Sequence, residues 1–162
     1  MNLIFAALLV AVSAGKDQAL HLYELNPKTG ALKQRDMYDL PGSPGSQCVS
    51  ADGKTLYVSV RSANSVAAFN INHAKKTLVP LGATDIGANA AYVATDRTGR
   101  TLLWASYSGG VVGSHAINKN GLVKAGALSR IETARCAHAI LPDASNIFAF
   151  APHTGPNAVY QF

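Results

Sequence analysis

His138 stands just ahead of a Pro142-Asp143 turn, separated from it by Ala139-Ile140-Leu141. A histidine can take a proton from water near neutral pH, which is the task of a general base in ester opening. The same ring can instead bond a loop carbonyl and serve structure alone. Arg61 closes the run Leu56-Tyr57-Val58-Ser59-Val60. Its guanidinium suits a phosphate or a carboxylate through paired hydrogen bonds; a plain surface arginine is the other reading. Tyr107 follows 46 residues later (107 − 61 = 46), before Ser108-Gly109-Gly110, where missing side chains let a ligand reach the backbone. Packing against a neighbouring element is its alternative. When the Asp turns are aligned, His153 equates with Ser62, and Gln47 and Ala91 take the place of His138. The expected site therefore has His138 as the base, with Arg61, Tyr107, Gln47 and His153 as substrate contacts.

Other chemistries have less support. His21, His73 and His115 are expected on the surface or within strands, and no histidine pair has metal-site spacing, so neither a metal nor a cofactor is expected. The chain lacks a Gly-x-Ser-x-Gly elbow, a phosphate-binding loop and a dinucleotide fingerprint. This argues against nucleophilic serine and nucleotide chemistry.

The elements that must position these residues repeat. Tyr23-Glu24-Leu25-Asn26 answers Phe69-Asn70-Ile71-Asn72 (69 − 23 = 46), and Ile117 answers Ile71 (117 − 71 = 46). Within a copy, Leu56, Val58 and Val60 share one face of a strand, and Ala67, Phe69 and Ile71 share one face of the next. Turns fall at Lys28-Thr29-Gly30, Asp52-Gly53 and Asn120-Gly121. A third strand is expected over 31–38, 77–84 and 122–131, and a short apolar strand such as Tyr92-Val93-Ala94 leads into the next turn. Four short strands in a period of roughly 40 to 50 residues describe a β-propeller blade. The fold expected is all-β: a single domain over 1–162 with repeats 1–46, 47–91, 92–137 and an incomplete 138–162, the last matched through Pro142-Asp143 to Ala51-Asp52.

Composition agrees. Of 162 residues, 48% are hydrophobic and 14% charged, with 14 glycines and 7 prolines spread along the length, which favours short strands and tight turns. The net charge of +5 is dispersed, with Lys75-Lys76 the sole adjacent basic pair, so nucleic acid is not an expected partner. The apolar run Leu3 to Val12 is too short for a membrane-spanning helix and lacks a basic leader. Val10 falls one period from Leu56, so the run is expected to be a first-blade strand in a cytoplasmic protein; a signal cleaved after Ala14, and export, is the alternative. Cys48 and Cys136 are expected as two buried free thiols.

About three and a half blades do not close a ring. Seven such repeats need about 320 residues, so the chain is expected to be a fragment, half of a dimeric ring or the product of a truncated gene. Exposed blade edges predict self-association.

The stretches Leu56 to Arg61, Ala105 to Gly110 and Ala137 to Asp143 resemble the lactonase family of seven-bladed propellers, over essentially the whole chain as its N-terminal half. The resemblance implies hydrolysis of a small anionic sugar lactone, as in 6-phosphogluconolactonases. Its alternatives are carboxymuconate cyclisation or a non-catalytic scaffold. Two motifs depart: Cys136 replaces the first histidine of His-x-His, and His153-Thr154-Gly155-Pro156-Asn157 stands where the family often has Asp-Leu-Gly-x-Asp.

Overall fold

The computed structural model describes residues 8–162. Its strands form four antiparallel sheets whose members follow one another in chain order. The first sheet holds β1 (Leu8–Ala14), β2 (Ala19–Leu25) and β3 (Leu32–Asp39). The second holds β4 (Pro44–Val49), β5 (Thr55–Val60), β6 (Ser65–Asn72) and β7 (Thr77–Asp85). The third holds β8 (Tyr92–Thr95), β9 (Thr101–Ser106), β10 (Val111–Ile117) and β11 (Val123–Glu132). The fourth holds β12 (Leu141–Pro142), β13 (Ala149–His153) and β14 (Ala158–Gln161). Strand β4 starts at Pro44, three residues before the 47 that opens the second sequence repeat. Leu8–Ala14 pairs along its length with β2, whereas residues 1–7, the rest of the apolar N-terminal run, lie outside the described residues.

Backbone conformation repeats with the sequence. The hairpin between the second and third strands of a full blade turns at a left-handed residue, Asn64, Gly110 and Asn157 in successive sheets (110 − 64 = 46; 157 − 110 = 47). Asparagine and glycine tolerate that conformation at low cost. The turn between the first and second strands places Gly53, Gly99 and Asn146 at positive φ on the same spacing. There the closing bond runs from Ser50 to Thr55, from Asp96 to Thr101 and from Asp143 to Phe148.

That last series corrects the Asp-turn alignment. The second blade has Ser50 where the others have Asp96 and Asp143, and its aspartate, Asp52, sits two residues later. Phe148 therefore aligns with Thr55, not Tyr57. Likewise His153 aligns with Val60 rather than Ser62, and His138 with Gly45 and Ala91, while Gln47 aligns with Val93 and Ile140.

The cores lie between sheets. Leu20, Leu22, Leu56, Val58 and Val60 pack the first sheet on the second, and Tyr57, Val66, Val93 and Trp104 pack the second on the third. A smaller cluster of Ala105, Val112, Ile140 and Ala151 joins the third to the fourth. Burying each large apolar side chain contributes about 1.5–3 kcal/mol. Trp104 needs Gly113 opposite it, because a Cβ there would lie 2.3 Å from the indole. Both cysteines are free, but each is half-buried, a correction to the expectation of full burial. Among the described residues no helix is long and apolar enough to cross a membrane.

Candidate functional site

Antiparallel pairing places the start of each innermost strand beside the end of the next strand: Pro44 against Val60, and Ala137 against His153. Residues just past the second strand, namely Arg61, Tyr107 and Thr154, thus share one end of the blades with Gly45, Ala91 and His138. The innermost strand β4 packs against both β1 and β8, so successive blades converge along their innermost strands, and these residues lie at one end of that line.

His138 is exposed, and its backbone N–H donates to the Pro152 carbonyl at 2.9 Å, which anchors the main chain and leaves the ring outward. The Tyr107 ring meets the His138 imidazole edge-on, centroids 5.6 Å apart and planes at 86°. Thr154 donates its hydroxyl proton to the Tyr107 oxygen at 3.2 Å. The tyrosine's own proton therefore stays available to an acceptor outside. Cys136 ties the two turns together: its N–H donates to the Tyr107 carbonyl and its carbonyl accepts from Thr154 N–H, with φ at 66°. The position where the family's first histidine is replaced thus works here through its backbone.

Arg61 opens the short helical turn Arg61–Ala63 and is exposed. Its Nε donates to Asn89 Oδ1 at 2.9 Å, a bond from the second blade to the loop entering the third.

Two expected contacts are placed elsewhere. His153 is only 2% exposed; Nδ1 lies 2.9 Å from the Ala151 carbonyl and Nε2 lies 2.8 Å from the Thr133 hydroxyl. It also packs on Tyr160, centroids 4.3 Å apart. The alignment correction explains this, since the Val60 position points into the sheet stack. Gln47 spends both amide protons on the preceding blade, bonding Ser13 Oγ at 2.9 Å and the Ala11 carbonyl at 3.4 Å. It lines an apolar cavity of about 410 Å³ between the first two sheets, with Leu9, Leu22 and Leu56 among its walls. The structure therefore brings together His138, Tyr107 and Thr154 and sets Arg61 with Asn89 one blade away. Sequence reasoning missed Thr154 and Asn89. Thr154 was findable, since it lies one period beyond Tyr107 (154 − 107 = 47). Among the described residues no group of three His, Cys, Asp or Glu side chains is arranged to hold a metal ion.

The family model for the seven-bladed β-propeller lactonases matches residues 7–162. The chain belongs to that family. A 6-phosphogluconolactonase of Xenorhabdus nematophila is 29% identical over 141 residues, covering 85% of this chain and 41% of the relative. One from Erwinia tasmaniensis is 33% identical over 113 residues, or 70% of this chain and 34% of the relative. The chain thus spans about two fifths or less of the length of these curated relatives. Among solved structures, a candidate 6-phosphogluconolactonase of Bacteroides fragilis superposes with a TM-score of 0.86 at 20% identity, over all of this chain and 49% of that one. The periplasmic gluconolactonase of Pseudomonas aeruginosa superposes with a TM-score of 0.68 at 21% identity, over 74% of this chain and 35% of that one. At such identities the likeness concerns the fold, so the lactonase-family blades are shared while the site must be argued from this chain's residues.

Proposed function

We propose that the lactonase-family propeller containing this chain hydrolyses a small anionic sugar lactone of the 6-phosphogluconolactone type. The observation that carries the reading is the exposed His138 held against Tyr107 at one end of the blades. His138 takes a proton from water as the water oxygen bonds to the lactone carbonyl carbon. The Tyr107 hydroxyl, whose oxygen already accepts from Thr154, donates its own proton to the developing oxyanion. The bond from carbonyl carbon to ring oxygen then breaks, and the proton on His138 passes to that oxygen, giving the open-chain acid. Arg61 holds the anionic substituent. The names of the relatives favour hydrolysis over muconate cyclisation or a non-catalytic scaffold.

The test is turnover of 6-phosphogluconolactone with spontaneous hydrolysis subtracted. His138→Ala is expected to lower kcat/KM by about 10²–10⁴-fold with little change in melting temperature, because the ring is exposed. Unchanged turnover in the variant removes His138 as the base, and a protein that opens no lactone removes the hydrolase reading.

Pairing of Leu8–Ala14 with β2 favours use of this segment as a first-blade strand, and a cytoplasmic location is the reading that goes with it. A second copy of the chain is the proposed macromolecular partner. Phe150 and Val159 occupy the positions of Tyr57 and Val66, which in the second blade are buried against the third, yet here they are 37% and 66% exposed.

A further inference from the structure

We infer that Gly45 and Asn89 fix the Arg61 guanidinium as a preset fork for a phosphate group, and that Asn89 is a positioning residue for selectivity between charged and uncharged sugars. The inference rests on the sugar-lactone reading above and names how its anionic end is chosen.

Gly45 lies beneath the Arg61 side chain. A Cβ at this position would fall 2.7 Å from Arg61 Cδ, 3.0 Å from Arg61 Cγ and 2.9 Å from Ser59 Oγ. The arginine stem therefore lies directly over bare backbone, in a slot that any larger residue fills. Gly45 is the structural counterpart of His138, so one site in the repeat serves as base in one blade and as a seat for a cation in another. At the far end of the stem, Asn89 Oδ1 accepts from Nε at 2.9 Å. A bond to Nε sets the plane of the guanidinium and leaves the two terminal nitrogens, which form a fork matched to phosphate or carboxylate oxygens. Among the described residues no carboxylate forms an ion pair with Arg61, although Glu24 pairs with both Arg35 and Lys76. An exposed arginine pinned at its stem and its Nε has already lost much of the rotamer freedom that ligand binding otherwise costs. Asn89 brings order without charge: a carboxylate there would hold Nε equally well and cancel the cation.

Calorimetric titration of the chain with glucose 6-phosphate and with glucose, the phosphorylated and uncharged ring sugars, tests the inference at low ionic strength. The wild-type chain is expected to prefer the phosphate by at least tenfold. Asn89→Ala is expected to weaken glucose 6-phosphate by about tenfold and to leave glucose unchanged. The Arg61 Nε–H proton resonance should then exchange faster with water. Asn89→Asp is expected to lose the preference while keeping that proton protected, a split that a merely structural role does not produce. Gly45→Ala gives the same loss of preference by displacing the stem, and decides the matter if the Asn89 variants do not fold. Equal binding of the two sugars by the wild type, binding of neither, or a preference that survives Asn89→Ala overturns the inference. Loss of lactone turnover with the preference intact defeats the hydrolase reading and leaves the fork standing; turnover without the preference does the reverse.

Discussion

Two side chains of unlike burial show how environment decides what a residue can do. His138 has its backbone anchored and its ring open, which suits proton transfer. Cys48 is a potential nucleophile on β4, the innermost strand of the second sheet, but burial pushes its thiol up to about 12 from an ordinary 9.0. At neutral pH it holds its proton, and the thiol form is a poor nucleophile. In a Cys136→Ser background, a disulfide reagent at pH 8 is expected to leave the remaining thiol unmodified in the folded chain and to titrate one thiol after denaturant is added. Rapid labelling of folded protein would show that the site opens. The same shift predicts alkaline weakening. The unfolded chain releases the proton near 9 and the folded chain near 12, so stability is intact below about 9 and falls as pH rises through that window. Tyr57, also raised to about 12 by burial, adds to the fall from its ordinary 10.0. Cys48→Ala should flatten part of the slope in urea-melt stability between pH 9 and 11.

At the scale of the element, the Asp turns are what the repeat conserves in geometry while varying in sequence. Asp96 accepts from the N–H groups of Thr98, Arg100 and Thr101, and Asn146 of the next blade reaches back to it at 3.1 Å. Burial of Asp96 opposes its ionisation, but the Thr98 hydroxyl and these donors outweigh it and hold its pKa below 3.8. Asp143 is held lower, at about 2, first by the Ser145 hydroxyl and then by turn N–H groups. Both carboxylates are stabilised in their ionised form by folding. Their contribution is present above about 3.8 and is lost as pH falls towards 2. Asp96→Ala is expected to cost about 1–2 kcal/mol in urea denaturation at pH 7 and to reduce the acid sensitivity between pH 4 and 2; an unchanged acid limb would assign that limb to other groups. These turns also mark where the sequence could be read and where it could not. Strand positions and the period of 46 were legible, because alternation and turn residues are local. The turn register was misread by two residues because a serine hydroxyl at Ser50 does the work of a carboxylate, a substitution of chemistry that letter matching does not see. That slip is what placed His153 at the opening instead of in the sheet. The partnership of Arg61 with Asn89 spans two blades and follows from how sheets stack, which no periodicity in one strand encodes.

Across the whole molecule, blades are joined by a few polar ties laid over the apolar clusters. Tyr57 donates to the Gly121 carbonyl at 2.9 Å, Thr84 to the Val123 carbonyl at 2.6 Å, and Val93 N–H to Ser46 Oγ at 3.3 Å. These three link the second sheet to the third, while Gln47 to Ser13 Oγ ties the first pair and Arg97 Nε to the Asp143 carbonyl ties the last, so stability accumulates along the stack as nearest-neighbour terms. The fourth sheet receives such terms from the third and, on its other face, presents Phe150 and Val159 with Leu141 at the edge, the last 49% exposed. The equivalent residues Tyr57, Val66 and Cys48 belong to or pack on the core between the second and third sheets. A face with the positional chemistry of an interblade core, left open to water, drives association with whatever complementary face is present in solution. For the isolated chain the proposed occupant is another copy. Sedimentation velocity over a range of micromolar concentrations is expected to show species larger than the monomer whose fraction grows with concentration. Replacing Phe150 and Val159 together by serine removes apolar area from the open face and none from the buried clusters, so the distribution should shift to monomer while the thermal transition of the single tryptophan, Trp104, stays in place. A wild-type chain that remains monomeric throughout, or a double variant that associates as strongly as the parent, would refute the second copy as partner. A lowered Trp104 transition in the variant would show that the fourth sheet supports the core between the second and third instead of standing apart from it.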